Sequence, residues 1–292
     1  MSALVESPQF QIADTQHIAD QFIISRLDRL LNPCESATFH SLLDEIEAHM
    51  LDRQRFGLGG AECAMRWIHS EGVSTKEMIL SPMAVVTGAT HKAPTLNIVA
   101  KGEVSVFTER GPIHFSAGDV FTSSAGVRKM GFTRSGVKFL NVFPNPDNER
   151  DEAALADRYF EPPKAHEQAG EFECFKRICG LRQEQIDQYM EQAGEPLALE
   201  CGSVVLRESP IQGRGLFAAR DILKGEFLPV FINRERTQLA RYSNHSFTPN
   251  MELVGVNAIA LTNIPKGDEI TMNYLDNFIK TIGNGGLQCL QD

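Results

Sequence analysis

Three short blocks in the last third of the chain carry the residue types that do chemistry. The first is Gly213-Arg214-Gly215-Leu216-Phe217-Ala218. The second is Arg241-Tyr242-Ser243-Asn244-His245-Ser246-Phe247-Thr248-Pro249-Asn250. The third is Ile264-Pro265-Lys266-Gly267-Asp268-Glu269-Ile270-Thr271-Met272-Asn273-Tyr274. A lone G-x-G says little. It permits a tight turn, and it also lets a backbone approach a ligand where a side chain would stand in the way. An R-Y-x-N-H-S-x-x-P-N block is rare. Followed by I-x-x-G-D-E-I-T-x-x-Y, it forms a specific signature, because the order matters more than any one block.

Taken in that order, the blocks resemble a compact SET domain over roughly residues 199–280. The resemblance implies a fold that transfers a methyl group from S-adenosylmethionine to a lysine amine. It implies that the Gly213, Arg214 and Gly215 turn approaches the amino acid end of that cofactor. It also sets Asn244 at that end, the backbone of His245 at the adenine and Arg241 opposite the cofactor carboxylate, with charge-assisted bonds. A second reading of Asn244 and His245 is that they satisfy buried backbone groups. Tyr274 is the implied catalytic residue, its hydroxyl directed at the transferring methyl and the amine. Tyr242 is a weaker candidate for the lysine channel.

The chain departs from the family in several places. Only NRERTQLAR lies between Phe231-Ile232 and Tyr242, where typical lysine methyltransferases insert tens of residues that wall the peptide groove. The cysteine-rich zinc tail is missing: Phe247 stands at the zinc-cysteine position, and the tail has Cys289 alone. Asn273 replaces the commoner aspartate before the tyrosine. Such abbreviated domains are similar to those of phage and bacterial genomes. The enzyme reading is a SET-type protein-lysine N-methyltransferase, phage-encoded. The competing class is a non-catalytic virion or assembly protein that uses the same folds as binding modules.

The rest of the chain must position these blocks. Apolar residues at Ile18, Phe22, Ile23, Leu27, Leu30 and Leu31 predict a helix capped by Thr15. Pro33 interrupts it, and Ser36 starts a second helix through Leu42, Leu43, Ile46 and Met50. The Gly57-Leu58-Gly59-Gly60 run marks a boundary. Residues 66–145 alternate short apolar runs with turn pairs such as Lys101-Gly102, Arg110-Gly111 and Gly118-Asp119, the pattern of a small antiparallel barrel or sandwich. From Asn148 the pattern is helical again, with breaks at Pro162-Pro163 and Gly194. Cys174 and Cys179 are expected in this helical stretch as buried small hydrophobes.

The β region resembles a cupin domain on Gly88, His91, the VAKGEVSVF strand pair, the Ser-Ala-Gly-Asp turn and Gly126. It looks closest to cupin-like domains of phage-encoded proteins with TG-x-x-HK before LNIV-x-KG. Enzymatic cupins hold a metal through three histidines and a glutamate. Here only His91 fits: Ala93 stands two residues on, no glutamate follows, and Lys129 takes the later histidine position. No metal is expected, and His91, His114 and His69 are read as hydrogen-bonded structural histidines.

The expected fold is therefore mainly β with helical additions (α+β). It comprises a helical segment (1–65), a cupin-like β-barrel (66–147), a helical connector (148–198) and a compact SET (β-clip) domain (199–292). At 292 residues with net charge −10, a general nucleic-acid binder is excluded for lack of a basic face. No apolar run reaches bilayer length, and the N-terminus does not read as a secretory signal. Six scattered cysteines read as reduced thiols. The expectation is a protein of the bacterial cytoplasm, virion-associated in the competing reading. It pairs with a protein substrate or virion partners and forms a homo-oligomer through the cupin-like region.

Overall fold

The computed structural model describes residues 11–14, 20–59, 63–192, 194–199 and 202–283. The chain forms two compact units, residues 1–169 and 170–292. No helix among the described residues is long and apolar enough to cross a membrane.

The first unit opens with β1 (Gln11–Asp14), α1 (Gln21–Leu30) and α2 (Ser36–Arg55). Strands β2 (Cys63–Ser70), β3 (Gly72–Leu80), β4 (Ala84–Thr87), β5 (Thr95–Thr108) and β6 (Gly111–Ser116) follow. After β7 (Val120–Ser123), β8 (Met130–Thr133) and β9 (Val137–Asn145), α3 (Glu152–Tyr159) completes the unit. The strands make one nine-stranded sheet in the order β1-β4-β8-β5-β9-β3-β2, with β6 and β7 also on β5. Strand β5 is long enough to serve both halves: Thr95–Ile98 pairs with β7 and Glu103–Thr108 with β6. A register shift between Val99 and Lys101 bends it. The sheet thus curls into a half-barrel.

Helix α2 follows the apolar period, burying Phe39, Leu42, Leu43, Ile46 and Met50 against Val85, Phe107 and Met130 of the sheet. Helix α1 begins later than its apolar pattern suggests. Its cap is Asp20, whose carboxylate accepts from Ile23 N at 3.1 Å. That carboxylate is also held by buried His49 and Arg53. Thr15, Ile18 and Gly60, given roles above, lie outside the described residues, as do Cys201 and Cys289.

The second unit begins with α4 (Glu171–Cys179) and α5 (Gln183–Gln192), then the hairpin β10 (Val204–Glu208) and β11 (Arg214–Ala218). Strands β12 (Phe227–Pro229), β13 (Phe231–Ile232) and β14 (Glu235–Arg236) lead to α6 (Gln238–Tyr242). The last elements are β15 (Asn244–His245), β16 (Met251–Val254), β17 (Asn257–Ala260), β18 (Thr271–Met272) and α7 (Tyr274–Gly283). A five-stranded sheet runs β12-β17-β16-β18-β15. Its core includes Leu216, Ile222, Leu239, Met251, Ile264 and Ile270, all buried.

Candidate active site

The three sequence blocks converge in the second unit. The Gly213 turn is the loop of the β10–β11 hairpin, closed by Ser209 N donating to Gly213 O at 2.7 Å. Gly213 has φ +49°, and a Cβ built there meets nothing within 4 Å. Gly215 is constrained differently. A Cβ at that position would stand 2.2 Å from Glu269 Oε1 and 3.0 Å from Ser209 Cβ. So one glycine answers to the turn, and the other to a carboxylate of the third block.

Strand β15 runs parallel to β18, with Asn244 opposite Thr271 and His245 opposite Met272. This pairing brings the second and third blocks together. Asn250 reinforces it: its Nδ2 donates to Glu269 O at 2.7 Å, and Thr271 N donates to its Oδ1 at 2.9 Å. The Asn244 amide nitrogen is 2.6 Å from Glu269 Oε1 and 2.9 Å from Ser209 Oγ. It is 3.2 Å from Gln212 O and 3.5 Å from Arg214 O. Ser209 Oγ in turn donates to Glu269, at 2.7 Å from Oε1. Two amide hydrogens cannot serve four acceptors, so acceptor capacity is left over around Asn244.

Tyr274 spans the segment beside Asn244. Its N–H donates to His245 Nδ1 at 3.1 Å, and its hydroxyl donates to the Ser243 carbonyl. Burial, and then the charge of Glu269, pushes the phenol up to about 12. Burial pushes His245 down to about 4. Both groups are therefore neutral at pH 7. Nε2 of His245 is buried with no hydrogen-bond partner. Because Nδ1 accepts, the network assigns the imidazole proton to that orphaned Nε2.

Helix α4 lays an aromatic wall over this pair. Phe172 and Phe175 meet the Tyr274 ring edge-on, at 6.2 and 5.7 Å between centroids. Phe175 also lies 5.2 Å from His245, and Phe247 meets the same imidazole edge-on at 4.5 Å. Glu171 Oε2 accepts from Phe247 N at 2.7 Å, tying the helix to the second block. Cys174 is fully buried on this helix and Cys179 nearly so.

Not every residue singled out in the sequence joins this centre. The Arg241 guanidinium donates to the Met190 carbonyl on α5. The Arg214 guanidinium lies 5.1 Å from the Tyr242 ring centroid, a cation–π pair beside the hairpin. Asn273 caps α7, its Oδ1 accepting from Leu275 N at 3.0 Å and Asp276 N at 3.3 Å. Sequence reasoning missed Ser209, Glu269, Phe172 and Phe175. Glu269 lay within the third block. The i, i+3 spacing of Phe172 and Phe175 marked a shared helix face but not its partner.

Residues 229–275 match the family model described as SET domain. The C-terminal unit carries a SET domain. None of the curated proteins matches the chain. Over the N-terminal region the chain is similar in fold to solved cupin structures. One is a cupin superfamily protein from Desulfitobacterium hafniense, at 16% identity, covering 30% of this chain and 84% of that one, with TM-score 0.27. Another is an RmlC-like cupin from Shewanella frigidimarina, at 17% identity, covering 32% and 83%, with TM-score 0.27. A third, KdgF from Halomonas sp., has 15% identity, coverage of 31% and 83%, and TM-score 0.27.

SET domains typically use S-adenosylmethionine. The residues present in this SET domain fit that group. The spare acceptors of Gln212 O, Arg214 O and Glu269 suit an α-ammonium. The turn above Gly213 is open. The unpartnered Nε2–H of His245 offers a donor to a heteroaromatic acceptor.

Among the described residues, no group of three or more His, Cys, Asp or Glu side chains could hold a metal ion. In the first unit each of the three histidines considered above lies beside a hydroxyl. His91 Nδ1 is 2.7 Å from Thr95 Oγ1, His114 Nδ1 is 2.8 Å from Ser105 Oγ, and His69 Nδ1 is 3.0 Å from Ser74 Oγ.

Proposed function

We propose that the SET domain binds S-adenosylmethionine and methylates a lysine amine of a protein. The observation that carries this reading is the placement of Tyr274. Its hydroxyl is held by the Ser243 carbonyl, one residue from the acceptor-rich surroundings of Asn244. When bound, the cofactor would supply a sulfonium-activated methyl for transfer to the amine, with the thioether as the leaving group.

The chain's own residues do the rest. Gln212 O, Arg214 O and Asn244 would hold the amino acid end, and His245 the base. Tyr274 keeps its proton at neutral pH because burial and Glu269 disfavour the phenolate. Donating that proton to Ser243 orients the phenol and leaves its oxygen lone pairs to accept from the incoming amine. A lysine ordinarily titrates near ~10.4, so the site must favour the neutral amine. The rings of Phe172 and Phe175 beside Tyr274 make the surroundings apolar, which disfavours an ammonium. The amine's proton leaves to solvent before attack.

The test pairs calorimetric titration of S-adenosylmethionine with mass spectrometry of candidate acceptor proteins. Cofactor binding with a gain of one methyl mass on a lysine supports the proposal. Absence of binding at millimolar concentration overturns it and leaves the unit as a binding module. The proposal extends, on the resemblance of the abbreviated blocks to those of phage and bacterial genomes, to a phage-encoded enzyme acting in the bacterial cytoplasm. It extends also to a homo-oligomer formed through the half-barrel, checked by light scattering.

A further inference from the structure

The half-barrel of the first unit lines a half-open cavity of about 60 Å³. By this measure it holds on the order of four water molecules. Its walls are aliphatic or aromatic: Met78, Leu80, Val86, Val104, Val137 and Phe139 are among them. Three polar side chains interrupt the apolar lining, namely His91, Lys129 and Asn141, and no carboxylate is among the lining residues.

Lys129 is the unusual group. Its ammonium has three N–H donors. One meets Ser123 Oγ at 2.5 Å and a second reaches Asn97 Oδ1 at 3.4 Å, both neutral acceptors. Among the described residues no carboxylate pairs with it. The same ammonium lies 5.7 Å from the Phe121 ring centroid and lines the cavity beside the uncharged Asn141. Asn97 cannot turn away to help, because its amide is bound to Thr95 O, Phe121 O and Ser123 Oγ, and Asn141 donates to its Oδ1 at 2.7 Å. The polar end of the cavity is thus a rigid network with one cation that lacks a counter-charge. Lys129 is half-buried, and a cation drawn partly out of water gains from a counter-charge.

We propose that this cavity binds a small organic carboxylate, its apolar body among the aliphatic walls and its carboxylate paired with Lys129. Charge selects the class. A cationic ligand would meet Lys129, and the buried Lys76 acts electrostatically on the same His91. A neutral apolar ligand would leave the ammonium without a counter-charge. Burial pushes Lys129 down to about 8, so it is still mostly charged at neutral pH. Burial, followed by the charges of Lys129 and Lys76, pushes His91 down to about 3, so its ring is neutral and does not compete for the anion.

The experiment titrates the full chain with butyrate, whose six heavy atoms suit the cavity, and with acetate, 1-butanol and butylamine as controls. Calorimetry reads affinity, and amide chemical shifts of Gly88, Ala89 and Gly131 report whether binding is inside the half-barrel. Butyrate is expected to bind saturably, more tightly than acetate or 1-butanol, with butylamine inert. Lys129→Met, which keeps length and removes charge, should weaken butyrate by about tenfold or more, worth one decade in Kd. Lys129→Gln should do the same, and thermal melting shows whether each variant is folded. Butylamine or butanol binding as well as butyrate would overturn the proposal. So would undiminished binding in both folded variants, or no response to butyrate at millimolar concentration. Acetate binding as tightly as butyrate would remove the apolar body from it.

Discussion

Glu269 organises the candidate site although it has no part in the proposed methyl transfer. Its carboxylate accepts from Ser209 and Asn244, fills the space beside Gly215 and holds up the pKa of Tyr274. Two glycines in one motif should therefore respond differently. Gly213→Ala suffers only the left-handed backbone, about 1 kcal/mol. Gly215→Ala pushes a methyl into a carboxylate that two hydrogen bonds restrain, which should cost about 1–3 kcal/mol and displace Asn244. Urea unfolding of the two variants, with cofactor titration of each, checks the order. At Tyr274, substitution by Phe removes the hydroxyl and little volume. Cofactor affinity should stay within about threefold while methyl transfer falls by about a hundredfold or more. Asn244→Ala should instead weaken the cofactor by about tenfold, because it leaves the carbonyls of the hairpin without their partner. Isothermal calorimetry beside a methyl-transfer assay separates the two variants.

Helix α4 is the element that closes this site. Gly170 precedes it and Gly180, at φ +69°, ends it, so the chain delivers a short helix with Phe172 and Phe175 on one side. Phe175 is 5% exposed and packs on both His245 and Tyr274. Phe175→Ala should leave a cavity and cost the second unit about 3 kcal/mol or more. It should also change the near-ultraviolet circular dichroism of the tyrosines. Methyl transfer should fall in the folded variant, because water then reaches the site and the acceptor amine regains its charge. In the first unit the corresponding element is α2. Arg128 pins it to the sheet through Asp44 and Glu47, and Lys164 shares Asp44.

At the scale of the molecule, among the described residues, His91 and His245 are buried and neutral, one in each unit. His91 is held down to about 3 and His245 to about 4, against an ordinary value of 6.5. The unfolded chain therefore binds more protons than the folded one at every pH between these values, and stability falls as pH is lowered through that window. Stability from these groups is fully present above 6.5. Lowering the pH from 7.5 to 5 should cost each unit roughly 2 kcal/mol. Scanning calorimetry at the two pH values should show both transitions moving down. Transition-metal content is a second property of the whole chain. With His91 beside Lys129 in the cavity, the donor set suits no divalent ion. Elemental analysis of the purified protein is expected to find no stoichiometric Fe, Mn, Ni or Zn.

The order and spacing of the three blocks were enough to single out Gly213, Asn244 and Tyr274 as candidates, because a rare linear signature carries its own folded arrangement. The apolar period of α2 and the turn pairs of the β region were equally legible, since helix and strand periods are local properties. Tertiary structure decided what local sequence does not encode. The start of α1 fell to Asp20 because His49 and Arg53, about thirty residues away on a neighbouring turn of α2, hold its carboxylate. Arg241 was drawn to the Met190 carbonyl by the placement of α5. The curl of the β region into a half-barrel rests on β5, which shifts register at Val99–Lys101 and carries two sets of partners. The aromatic wall of α4 over Tyr274 joins residues about a hundred positions apart. Only burial of that helix face against the strand crossing chooses its partner, and burial is a property of the folded chain.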